Sequence, residues 1–77
     1  MVKDLSKLML RDLWNPHDGT TPYHNGAIYI WVDFNSSLRP FIKARVSGFT
    51  TKSFDYTSKG LIKAKQYVVK CLGRRSE

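Results

Sequence analysis

Residues able to do chemistry cluster in two short stretches of this chain. In Gly26-Ala-Ile-Tyr-Ile-Trp-Val-Asp-Phe34, Tyr29, Trp31 and Asp33 alternate with Ile28, Ile30, Val32 and Phe34. In Phe41-Ile-Lys-Ala-Arg-Val-Ser47, Phe41, Lys43, Arg45 and Ser47 alternate with Ile42, Ala44 and Val46. A period of two puts one row of each stretch on each face of a strand. Ammonium and guanidinium groups bind phosphates, and arginine also grips the edge of guanine with two parallel bonds. Aromatic rings stack on unpaired bases or pack on sugars. The same rings and cations can equally pack on one another across strands, which adds only stability.

Other candidates carry less. His17, Asp18, His24 and Cys71 hold metal-ligating atoms, but their spacing matches no metal motif, and no metal or cofactor is expected. No catalytic constellation is present, and histidines confined to one loop offer little enclosure, so an enzyme is not expected. Lys59, Lys63 and Lys70 form a basic stripe on a C-terminal helix. Lys59 and Lys63 stand near its N-terminus, where the helix dipole already favours anions.

These residues need elements to position them. Val2, Leu5, Met9 and Leu13 share one helical stripe, predicting an amphipathic helix from Val2 to Trp14 that ends at Asn15-Pro16. Residues 17–26, with Asp18-Gly19, Pro22 and Asn25-Gly26, read as loop. Strands are predicted at 27–34, 41–47 and 50–56, the last with Phe54 and Tyr56 inward and Ser53 and Asp55 outward. Thr57 or Ser58 caps a helix running to Leu72, Gly73 stands as its C-cap, and residues 73–77 form a basic tail. The expected fold is one α+β domain over residues 1–77, order αβββα: a three-stranded antiparallel sheet with both helices on its apolar face. Lys65 falls inside the apolar arc of the last helix, where its stem is expected to snorkel to the rim.

Seventy-seven residues support one modest core. The net charge of +7 is unevenly spread. Residues 1–37 hold three basic and four acidic groups, a net −1, while residues 38–77 hold ten basic against two acidic, a net +8. Such asymmetry points to an anionic partner, with nucleic acid first, DNA ahead of RNA, and an acidic protein surface second. A single cysteine excludes an internal disulfide, and Cys71 reads as a small buried hydrophobe. No apolar run approaches a membrane span, and the N-terminus lacks the order of a signal peptide, so a cytoplasmic protein without a membrane partner is expected.

With Tyr29 and Trp31 on the first strand, Lys43 and Arg45 on the second, and Phe54-Asp-Tyr-Thr-Ser58 leading into a helix, residues 26–72 resemble the AP2-type domain and the arm-binding domains of phage integrases. That resemblance implies an open sheet face lying in the DNA major groove. With the N-terminal helix included, the chain also resembles the double-stranded-RNA-binding domain. There Ser58-Lys59 and Lys63 are similar to the phosphate-binding lysines that begin the last helix. The binding residues expected are thus Tyr29, Trp31, Phe41, Lys43, Arg45, Lys59 and Lys63. A second class of function fits the same composition: a small virus- or plasmid-encoded modulator that inhibits a host enzyme by docking on its acidic surface, with the aromatic and arginine residues as hot spots. Exposed strand edges also allow a homodimer.

Overall fold

The alternation of residues 28–34 and 40–46 builds the centre of the molecule, a pair of seven-residue antiparallel strands. A computed structural model describes residues 4–74. Strands β4 (Ile28–Phe34) and β5 (Pro40–Val46) pair in register Ile28↔Val46 through Phe34↔Pro40, and β6 (Lys52–Asp55) joins β5 with Phe54 opposite Ile42. Ile28, Ile30, Val32, Ile42, Ala44 and Val46 form one continuous buried face.

The sheet has four strands, correcting the three expected. Tyr23–Asn25, read as loop, is strand β3, paired with β4 as Tyr23↔Ile30, His24↔Tyr29 and Asn25↔Ile28, so the order is β3-β4-β5-β6. The turn between them is Gly26-Ala27, with Gly26 at φ 61° in the glycine-first position that two-residue hairpins use. Tyr23 is this strand's only apolar residue, too little to show a period, yet it is buried in the core beside Ile30. A second small hairpin, β1 (Trp14–Asn15) with β2 (Gly19–Thr20), takes the expected end of the N-terminal helix and the first part of the expected loop. Asn15 Oδ1 accepts the His17 amide at 2.8 Å to shape its turn.

The long N-terminal helix is not formed over the described residues; Val2 and Lys3 lie outside them. A 3-10 turn, Leu5–Lys7, is separated by extended Leu8 and Met9 from a one-turn helix α1, Leu10–Leu13. Two carboxylates explain the break. Asp4 accepts the Ser6 amide at 3.0 Å, and Asp12 reaches back to the Met9 amide at 2.8 Å, so each starts its own turn. The kink lets both Leu8 and Leu13 enter the core. Trp14 closes the end of the apolar face, meeting Phe34 and Tyr56 edge-on with ring centroids 5.6 and 5.5 Å away.

Helix α2 runs Ser58–Arg74 and lies across β5 and β6 on the buried face, burying Leu61, Ala64, Val68 and Cys71. Thr57 caps it, its Oγ1 accepting the Gly60 amide at 2.9 Å. Gly73 lies within the helix and not at its C-cap: its φ is not positive, so the left-handed cap conformation is absent. Arg75, Ser76 and Glu77 of the expected tail lie outside the described residues. The apolar arc divides in two, since Ile62, Val69 and Leu72 are exposed. Lys65 does reach the rim, where its Nζ donates to the Ser6 carbonyl at 3.4 Å. Among the described residues, no helix is long and apolar enough to cross a membrane.

Candidate nucleic-acid interface

Because α2 and the N-terminal segment both pack on the buried rows, the opposite row of each strand faces outward. Residues packed against the core include Leu5, Leu10, Trp14 and Phe54, and none of Tyr29, Trp31 or Phe41. The register places the outward side chains in three lines across the sheet: His24–Tyr29–Arg45, Trp31–Lys43–Ser53 and Asp33–Phe41–Asp55. The five sheet residues singled out from the sequence, Tyr29, Trp31, Phe41, Lys43 and Arg45, therefore share one face.

Their roles differ. Tyr29 is held between its neighbours. The His24 ring stacks on it at 4.3 Å with the planes 9° apart, and the Arg45 guanidinium lies over it from the other flanking strand, 5.6 Å from the centroid. His24 is itself held by a contact of 3.1 Å from its Nε2 to the Gly26 carbonyl. With both flanks of the ring taken, Tyr29 aligns Arg45 and leaves little of its own face for a base. Phe41 lies under the Lys43 ammonium, 5.4 Å away. Trp31 alone among the rings of this face has neither a ring nor a cation against it within the described residues.

The cations differ too. Lys43 Nζ is 3.2 Å from Asp33 Oδ2. The Asp33 carboxyl is held below its usual range, first by the Phe34 amide that donates to it and then by Lys43. Arg45 has no carboxylate in ion-pair reach among the described residues. Lys43 and Arg45 against Asp33 and Asp55 make the formal charge of the face zero with His24 neutral. The basicity of the second half of the chain therefore lies mainly elsewhere. Helix α2 carries Lys59, Lys63, Lys65, Lys70 and Arg74 and no acidic residue.

Lys59 and Lys63 are not on the sheet face, yet they are continuous with it. A concavity of about 220 Å³ at the β6 edge is lined by Ser53 and Asp55 of the outward row and by Thr57, Lys59 and Lys63. Further along the same edge, about 400 Å³ of open concavity is lined by Lys52, Tyr67, Lys70 and Arg74. Tyr67 braces this region: its hydroxyl donates to the Thr50 carbonyl, the Lys52 ammonium lies 5.1 Å from its ring centroid, and burial pushes its phenol pKa up. Arg74 extends the Lys59, Lys63 and Lys70 stripe as the sequence suggests, whereas Lys52, and His24 as a partner of Tyr29 and not a metal ligand, are not legible as site residues in the sequence. The signal for His24 is its position across the two-residue Gly26-Ala27 turn from Tyr29.

The metal-ligating atoms do not assemble. Cys71 is on the buried face of α2 while His24 stands on the outward face of the sheet, and no group of three such side chains forms among the described residues. Comparison of the chain with known protein families, with curated protein sequences and with solved structures finds no match.

Proposed function

We propose that the protein is a small non-enzymatic nucleic-acid-binding module that holds duplex DNA against its outward sheet face and the basic edge beside it. One observation carries this reading. The face left open by both helical segments offers Trp31 and an arginine that has no acidic partner among the described residues, and it continues around β6 into the stripe Lys59, Lys63, Lys70 and Arg74. Arg45 and the stripe neutralise phosphates, Tyr29 aligns Arg45, and Trp31 packs on sugar or base edges.

The test is a band-shift series with a DNA duplex over rising salt. Affinity falls steeply with salt, and each of R45A, K59A and K63A lowers the slope of log affinity against log salt by about 1. W31A weakens binding without changing the slope. Absence of binding at low salt ends the proposal. Stronger binding to duplex RNA, dependent on Lys59 and Lys63 but not on Trp31, replaces it with the RNA reading.

A second reading has its own support in Trp31, Tyr29 and Arg45, residue types enriched at protein hot spots, on a chain of net charge +7. It is the modulator that inhibits a host enzyme at an acidic surface. A partner enzyme that survives nuclease treatment and is lost in W31A favours it over DNA.

A further inference from the structure

Helix α2 has three stripes with three environments. Leu61, Ala64, Val68 and Cys71 are buried on the sheet, and Lys59, Lys63, Lys70 and Arg74 follow the β6 edge. The third stripe, Ile62, Lys65, Val69 and Leu72, has the spacing i, i+3, i+7, i+10 and runs beside the N-terminal segment. It is apolar and open: Ile62 is 54 % exposed, Val69 58 %, Leu72 37 %, and Met9 across from it 50 %. Three of the six exposed large hydrophobic residues, Met9, Ile62 and Val69, thus line one groove, and Leu72 lies three residues beyond Val69 on the helix. A gathering of this kind marks an interaction site and not ordinary surface.

The shape of the groove limits what fits it. Two concavities meet at Lys65. One, about 330 Å³, is lined by Met9, Leu10, Arg11 and Ile62, and the other, about 610 Å³, by Leu5, Gln66, Val69 and Lys70. A concave apolar floor takes a ridge, not a flat bilayer. From Ile62 to Val69 is about 10 Å along the helix, the length of two turns of a docked partner helix with apolar anchors at i, i+3 or i+4, and i+7.

Charge selects the partner. Arg11, Lys65 and Lys70 rim the groove. Asp4 also lines the groove, its carboxylate accepting bonds from the Ser6 amide and hydroxyl at 3.0 and 2.8 Å, so among the described residues three cations stand against one carboxylate and the rim stays cationic. A second copy would bring two such rims, each on a chain of net charge +7, against each other. From the apolar floor and the cationic rim we infer that the groove between α2 and the N-terminal segment docks an acidic amphipathic helix of a partner protein. This site is separate from the sheet face and from Lys59 and Lys63, and shares Lys70 with the basic edge.

An unbiased selection tests it. A phage-displayed library of random peptides, each about 16 residues so that a helix can form, is panned on the full chain. The expected winners carry net negative charge and apolar residues at i, i+3 or i+4, and i+7. Synthetic copies shift the amide resonances of residues 8–11 and 62–72. I62S and V69S each weaken them about tenfold with unchanged thermal melts, since both side chains are exposed. K59E/K63E leaves the peptides bound while weakening DNA, so the fate of this site and that of the DNA reading separate. Winners without acidic charge or without the spacing, binding indifferent to V69S, or a library with no winner overturns the inference. So does a dimer in sedimentation equilibrium, or flotation with phosphatidylglycerol vesicles, that V69S abolishes.

Discussion

The Lys43 ammonium stands 3.2 Å from the Asp33 carboxylate, on the diagonal two residue pairs along the β4–β5 ladder, and this pairing offsets one of the two cations of the outward face. D33N leaves the shape nearly unchanged and frees Lys43, so DNA affinity at low salt rises severalfold, a gain that screening removes at high salt. The pH dependence has a definite sign. The Asp33 pKa is lower in the folded chain, so its contribution to stability is present above the unfolded value and is lost as pH falls through the folded one. Acid melts from pH 7 downward are therefore shallower for D33N on the limb below about pH 4. An affinity unchanged by D33N places the contact away from this face.

Gly60 lies against the backbone of Asp55. A Cβ at position 60 would fall 1.9 Å from the Asp55 carbonyl oxygen, which is backbone and cannot swing aside. G60A must push α2 off the end of β6, and overpacking of this kind costs about 3 kcal/mol. Urea unfolding measures it, and a loss under about 1 kcal/mol contradicts the close approach.

Tyr29 and Trp31 predict opposite phenotypes although both are half-buried rings on one face. Y29A removes the stack with His24 and the seat of Arg45, and lowers stability by about 1 kcal/mol. W31A breaks no ring contact, melts close to the parent and loses about tenfold in DNA affinity. Fluorescence separates the two tryptophans: in W14F the remaining Trp31 emission changes on adding DNA, whereas in W31F the Trp14 emission stays constant.

Leu38 is the one non-glycine residue at positive φ among the described residues, at 60°, and it is 81 % exposed at the tip of the β4–β5 turn. Asn35 holds it there, its Oδ1 accepting the Ser37 and Arg39 amides at 2.9 and 3.0 Å. An L-residue with a full side chain loses about 1–2 kcal/mol in this conformation, and asparagine tolerates it better. L38N is expected to raise the melting temperature by a few degrees. A lower melting point would reveal a contact made by the leucine.

What could be read in advance followed from local period. The alternation of 28–34 and 41–46 assigned the two faces, and the apolar arc with Thr57 assigned α2. Strand β3 escaped because three residues with one apolar side chain show no period, and its pairing is settled by Ile30 and Tyr29 on another strand. The N-terminal break escaped because a helical stripe through Leu5, Met9 and Leu13 coexists with carboxylates at 4 and 12 that cap two separate turns. The candidate site divides in the same way. The rings and cations of the sheet face were legible, but the cancellation of its charge required the register, and the exposure of Ile62 and Val69 required knowing how little of α2 the N-terminal segment covers.

The lone thiol of the chain makes it its own clock. Cys71 sits on the buried face of α2, so a maleimide or disulfide reagent reacts only while the C-terminal part of that helix is lifted from the strands or unwound. Labelling rates then time the lifting, and a ligand that clamps the helix announces itself by slowing the reaction, whatever its chemical nature.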